Sequence, residues 1–308
     1  MHGSQMNLKE GEALLSRCDS RSKSCLFLSK RQLWNLKKTS KNLSVQIGDT
    51  VYNCRYLMEV EGQESDRNDI YLGYIGYKKA SIFFNYILDL VRVGITEICI
   101  DLKRIADFKQ FLSEPCFKNI KSIMLVGETI TGKKVIELFD CFDKPVLETR
   151  VRTQIKSLSP TSKLLQSENL LLEKSKVISI EHLLNFTGKY ISLYYSPLSE
   201  EDIVAFVKHW LDGNYPNLVG AIITTEEDFQ YEPEKVLNEF NTKQWNPAER
   251  AQNFIYKSSL HRNEKNEFPI MDCSNGHDMV RNDGLMATMQ FEDEDCIFSF
   301  YVWHNRFP

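Results

Sequence analysis

No two of the eight cysteines form a CxxC pair. They stand at 18, 25, 54, 99, 116, 141, 273 and 296, and several fall inside apolar runs, such as Cys99 in EICID and Cys141 in ELFDCF. Neither a disulfide framework nor a zinc knuckle is therefore expected. Buried, reduced thiols are, and they point to the cytoplasm or the nucleus. No apolar run is long enough to cross a bilayer. The longest, SIFFNYILDLVRVG, is broken by Asp89 and Arg92, so no membrane partner is expected. The opening residues, MHGSQMNLKEGE, are polar and lack the apolar centre of a secretory leader, so none is expected. An excess of one charge is missing too. The formal net charge is -4, which gives nucleic acid no bulk attraction.

The familiar catalytic spacings are also absent. There is no GxSxG, no HExxH and no Cys/His nucleophile pattern. The acidic stretches Glu226-Glu227-Asp228 and FEDEDC read as solvated charge runs rather than acid/base pairs. Cys273 and His277 in CSNGH have a spacing that zinc tolerates. The second pair, Cys296 and His304, is too spread, and no metal or other cofactor is expected.

One stretch does imitate a nucleotide-binding loop. In LVGETITGKK, residues 125–134, Gly127 and Gly132 are spaced as in a Walker A loop and Lys133 stands at the phosphate lysine. Such a loop also needs a Ser or Thr hydroxyl for magnesium, and Lys134 occupies that place. The simpler expectation is structural. Gly127 ends a strand, Thr129 or Thr131 caps a helix, and both lysines are solvated. The chain is therefore expected not to be an enzyme, with a nucleotide-binding enzyme at 127–134 as the least favoured reading.

What is present is an ordinary globular mixture, 42% hydrophobic and 26% charged over 308 residues, enough to bury a core. Residues 6–38 read as short helices. From 41 to about 78, NLSVQI, TVYNCRYLMEVEG and DIYLGYIGY are β-prone runs. Strand-like and helix-like runs then alternate. The strands are TEICIDL, IKSIMLV, VLETRVR, KVISI, YISLYY and LVGAIITT; the helices are ADFKQFLSE, KKVIELFDCF, SPTSKLLQS, IEHLLNF, SEEDIVAFVKHWLDG and PEKVLNEF. Most strand starts lie roughly 20–30 residues apart, the period of solenoid repeats. The fold class expected is α/β: consecutive strand–helix units resembling a degenerate leucine-rich-repeat-like curved parallel sheet. Small β-rich segments flank it, after a short helical N-terminus. The expected divisions are 1–40, 41–95, 96–253 and 254–308, the last a hairpin segment turning at Asn282-Asp283-Gly284.

One helix can be read residue by residue. Ser199 is an N-cap with Asp202 three residues on. Ile203, Phe206, Val207, Trp210 and Leu211 make one apolar stripe, while Lys208, His209 and Asp212 fall off it. Gly213 is placed to end the helix in a left-handed conformation. Trp210 is accordingly a core residue rather than a recognition residue.

Three stretches together resemble one family. YSPLSEEDIVAFVKHWLDGNYPNLVGAIIT is similar to the F-box-associated domain, type 2, through Leu198, Glu201, Asp202, Phe206, Lys208, Trp210, Gly213, Pro216, Asn217 and Leu218. DMVRNDGLMATMQFEDEDCIFSFYVW resembles the closing segment of such proteins through Arg281, Asp283, Gly284, Ala287, Thr288, Val302 and Trp303. QMNLKEGEALLSRCDSRSKSCL looks like the second half of an F-box, with Leu15, Ser16, Cys18, Ser20, Arg21, Lys23 and Leu26 matching. The resemblance implies a protein–protein interaction module that recognises substrates for an SCF-type cullin ubiquitin ligase. Its partners would be an unknown protein substrate and the ligase's Skp adaptor, the latter held through Leu14, Leu15 and Leu26. No LPxxxxxxVL helix of a first F-box half appears in the sequence, so weak adaptor binding by this chain alone is the expectation. The alternative is a target-binding protein uncoupled from the ligase.

Overall fold

The computed structural model describes residues 97–102, 107–113, 117, 119–225, 229–261, 267–292 and 296–307, together with four earlier strands. The chain divides into two compact units, 1–97 with 114–119, and 98–113 with 120–308.

In the first unit, β1 (Leu33–Lys38), β2 (Asn42–Ile47) and β3 (Thr50–Arg55) form an antiparallel meander, and β4 (Asp69–Tyr71) pairs parallel to β3. Leu33–Lys38 falls where the composition suggested short helices. Its backbone groups are instead met by the facing strand β2, and that pairing overrides a weak helical propensity.

The second unit is mixed α/β, built on one large sheet with few helices. Five strands run parallel in chain order: β6 (Ser122–Val126), β7 (Glu148–Val151), β8 (Asn169–Leu172), β9 (Tyr190–Ser196) and β10 (Gly220–Thr225). β5 (Glu97–Asp101) lies beside β6. Beyond β10 the sheet turns antiparallel. β16 (Ile297–Trp303) pairs with β10, β15 (Met286–Glu292) with β16, β14 (His277–Val280) with β15, and the short β11 (Lys243–Gln244) with β14. β12 (Asn253–Ile255) and β13 (Ile270–Asp272) form a separate ribbon. The sheet is thus mixed rather than parallel throughout.

The crossovers carry α1 (Phe108–Leu112), α2 (Gly132–Phe139), α3 (Ile180–Leu184), α4 (Glu200–Leu211) and α5 (Pro233–Leu237). α4 has the expected capping box: Ser199 Oγ accepts from the Asp202 N–H at 3.4 Å, and Asp202 Oδ2 accepts from the Ser199 N–H at 2.9 Å. Its stripe is buried at Ile203, Phe206, Val207 and Trp210, with Leu211 half-buried. Gly213 ends the helix at φ 91°, a conformation that a side chain makes costly. Phe206 and Trp210 meet Phe300 edge-on at 5.4 and 5.3 Å. Strand alternation turns Tyr301 and Trp303 to the opposite face, where Phe254 and Tyr256 cover them.

Two segments differ from expectation. KVISI is a turn leading into Ser179, the N-cap of α3, and the strand of that unit is Asn169–Leu172 instead. SPTSKLLQS supplies only a 3-10 turn, Lys163–Gln166. All four residues of β8 are buried, so no period-two alternation marks it as a strand.

Candidate functional site

The loop that imitates a phosphate cradle has a steric reason for its glycines. Gly127 sits at φ 111° where the chain leaves β6. A Cβ on Gly132 would run into the backbone carbonyl of Ser157. The turn after β6 is pressed against the turn after β7, with Ile130 bridged to Ile155 and Lys156 N–H donating to Ile130 O at 2.8 Å. Thr131 is at the N-cap position but makes no side-chain cap bond. Lys133 is solvated, 85% exposed. Lys134 is not: its ammonium donates to Leu102 O at 2.8 Å from a half-buried position, because the chain end of β5 leaves that carbonyl within reach. Replacing Gly132 by Ala should therefore cost about 1–3 kcal/mol through overpacking, whereas Lys133→Ala should stay within about 0.5 kcal/mol. Urea denaturation of the two variants checks this, and equal small losses would refute the close-packing account.

The motif residues bring distant segments together. Arg281 donates through Nη1 to Trp210 O at 3.4 Å and Asn214 O at 3.3 Å, and its guanidinium lies 5.2 Å from the Trp210 ring centroid. A cation thereby meets the carbonyl end of α4, where the helix macrodipole favours it. Asp283 holds Arg281 in a fork, Nε to Oδ1 at 3.0 Å and Nη2 to Oδ2 at 2.6 Å. Gly284 closes the hairpin turn at φ 87°. Asp202 caps α4, Lys208 pairs with Glu239 at 2.7 Å, and Glu201 and Asn217 are exposed. Leu14, Leu15 and Leu26 lie outside the described residues.

The Arg281 bonds, and then the Leu285 N–H, push the Asp283 carboxyl down to about 2, below the ordinary unfolded-state value near ~3.9. A depressed carboxylate stabilises the fold above its unfolded pKa and loses that contribution as pH falls through the folded one. Between pH 5 and 2, the gap in melting temperature between wild type and Asp283→Asn should therefore narrow. A gap that stays constant across that range would contradict the assignment.

A second motif residue anchors a buried network. Trp303 Nε1 donates to Thr288 Oγ1 at 2.7 Å, and Thr288 donates to Asp278 Oδ1 at 2.6 Å. Asp278 accepts from Arg250 Nε at 2.9 Å on both oxygens, and from Nη2 at 2.8 Å. Arg250 stands out from nothing in the sequence, yet its side chain is fully buried. These residues are architectural, tying α4, the hairpin and the loop before β12 to the sheet.

Tyr195 and Phe229, two of the exposed large apolar side chains, stand where the parallel strands end. β9 carries a bulge there: Tyr194 and Tyr195 stand opposite the single residue Thr224, between the pairs Leu193–Ile223 and Ser196–Thr225. Tyr195 adopts φ 55° and its N–H donates to Thr224 Oγ1 at 3.2 Å. The bulge turns its ring outward, 47% exposed. A left-handed tyrosine costs roughly 1–2 kcal/mol, and bulges that re-aim a side chain concentrate at functional sites. Cys296, also left-handed at φ 53°, accepts from Thr225 N–H at 3.1 Å, and Thr225 Oγ1 donates to Phe229 O at 2.6 Å. Beside them Tyr231, Phe291 and Ile297 line a cleft of about 100 Å³. That holds one side chain but not a drug-sized ligand, which needs ~300 Å³ or more. Nothing in the run YISLYY signals this bulge.

Among the described residues, no group of three or more His, Cys, Asp or Glu could hold a metal. Cys273, His277, Cys296 and His304 have other surroundings. Burial pushes the Cys273 thiol up to about 12, and His304 Nε2 contacts Leu218 O at 2.9 Å. No described helix is long and apolar enough to cross a membrane.

Residues 160–220 match the model of the F-box associated family. The match contains β8, β9 and α4, so the resemblance carried by that helix is shown; the hairpin and residues 1–40 lie outside it. The chain is also similar to two uncharacterized proteins of Caenorhabditis elegans. It is 26% identical to one over 63% of its own length and 24% identical to the other over 69%. It spans only 44% and 47% of those relatives. No solved structure matches.

Proposed function

We propose that this chain is the substrate-recognition part of an SCF-type cullin ubiquitin ligase, acting by binding rather than by catalysis, in the cytoplasm or nucleus. The F-box associated match at 160–220 supports the reading most. Within that segment Asp202, Phe206 and Trp210 hold the scaffold, and Tyr195 is exposed on the bulge at the end of β9. A rigid sheet that offers its loops for contact suits the recognition of a folded or unfolded protein. The small cleft does not suit a metabolite. The nucleotide-binding alternative loses support from the steric role of Gly132 and from Lys134 being committed to Leu102.

The test is a pull-down from cells of a tagged 308-residue chain and of a longer product carrying a complete F-box. Under this reading both capture the same protein target. Ubiquitination of that target rises only with the longer product, through the Skp adaptor. A target whose ubiquitination ignores both products would leave the uncoupled binder as the better account. ATP or GTP hydrolysis abolished by Lys133→Ala would replace both.

A further inference from the structure

The rim where the strands end is continuous and bipolar. From the turns after β6 and β7 it passes through Arg152, whose Nε meets Glu173 at 3.1 Å, to Ser175, whose N–H donates to Tyr194 O at 2.9 Å. It continues through Tyr195 and Thr224 to Thr225, Phe229 and Cys296. At its first end Arg150 and Arg152 share the single carboxylate of Glu173, and Lys156 and Lys174 are exposed; the turn after β6 adds the carboxylate of Glu128. At the other end Glu201, Glu232, Glu234 and Glu292 are exposed, offset by Lys235, which pairs with Glu232. Between the ends stand Tyr195 and Phe229, 47% and 38% exposed, beside the cleft of Tyr231, Phe291 and Ile297.

We propose that this rim takes an extended peptide segment of a partner protein, with acidic residues over Arg152, Lys156 and Lys174, an apolar side chain at the cleft beside Tyr195, and basic residues over Glu201 and Glu292. The inference rests on the substrate-recognition reading and specifies the substrate's chemistry. Charge complementarity fixes the polarity of the segment, since opposite signs at the two ends reject the reversed order. Its length follows from the sheet. β7 to β15, which carries Glu292, are six neighbouring strands, and five gaps of ~4.8 Å make ~24 Å, about seven extended residues. Nucleic acid is disfavoured because half the rim is acidic.

Random twelve-residue peptides displayed on phage, panned against the full chain, test this. Enriched peptides should carry an acidic group and a basic group about seven residues apart with an apolar residue between them. A fluorescein-labelled representative should bind Tyr195→Ala about tenfold more weakly. The Lys156→Glu/Lys174→Glu variant should also lose affinity, and regain it when the peptide's acidic residues are changed to lysine. All these positions are exposed, so melting temperatures should match wild type and separate lost binding from lost folding. Failure to enrich any peptide, or enriched peptides of one charge sign, would overturn the inference. So would equal binding to the variants, or preferential binding of single-stranded DNA. A cellular target that persists on the rim variants would sink this inference and leave the function intact. Absence of any target would sink both.

Discussion

Replacing Arg250 by Ala should cost about 3–5 kcal/mol, a large share of a fold stable by ~5–15 kcal/mol. The guanidinium is fully buried and makes three contacts to Asp278, all at 2.8–2.9 Å. It also donates to Ala251 O at 2.9 Å and Cys273 O at 2.8 Å, and lies 4.8 Å from the Trp303 ring centroid. Truncation strands the Asp278 charge with Thr288 as its remaining side-chain donor, and leaves two carbonyls without this partner. The cost comes mainly from the stranded charge, not from the intrinsic worth of the pair. Arg250→Lys should therefore recover only part of the loss, because an ammonium restores the charge but not the fork. Guanidinium denaturation with an unchanged m-value measures both. A loss below about 1 kcal/mol for the Ala variant would mean that water reaches the network.

That network also shows where sequence reasoning stops. Arg250 sits in NPAERAQ, which reads as solvated loop, and its partner lies 28 residues on. Nothing local signals that the two are buried together. α4 is the opposite case. Its cap, stripe and terminating Gly213 are all local features repeated at helical spacing, and each is observed in its place. The Asn282-Asp283-Gly284 turn is likewise local, and β14 and β15 pair around it. β8 escaped because both its faces are buried, which erases alternation, while KVISI mimicked a strand through its β-branched residues. Tyr195 escaped because its left-handed φ arises from a register shift against β10. The motif residues were legible as a resemblance. The part of Arg281 in joining α4 to the hairpin was not, because its partner Trp210 lies 71 residues away in the chain.

Trp210→Ala should cost about 3–5 kcal/mol. The indole is fully buried, packed edge-on against Phe300 at 5.3 Å and covered by the Arg281 guanidinium. Its removal opens a large cavity at the centre of the α4–sheet interface. Collapse is hindered because Phe206 is already engaged with Phe298, Phe300 and Tyr215. The Arg281 donor to Trp210 is a backbone contact and survives truncation, so the loss measures packing rather than capping. Trp210→Phe separates these terms further. The indole Nε1 finds no hydrogen-bond partner, so Phe sheds an unpaired donor while keeping an aromatic face toward Phe300. Its cost should fall well below that of Ala, to about 1–2 kcal/mol. Equal losses for Phe and Ala would show that the indole shape itself is required. A loss under about 1 kcal/mol for Ala would move Trp210 out of the core, and the motif would then have to be read as a contact surface rather than a joint.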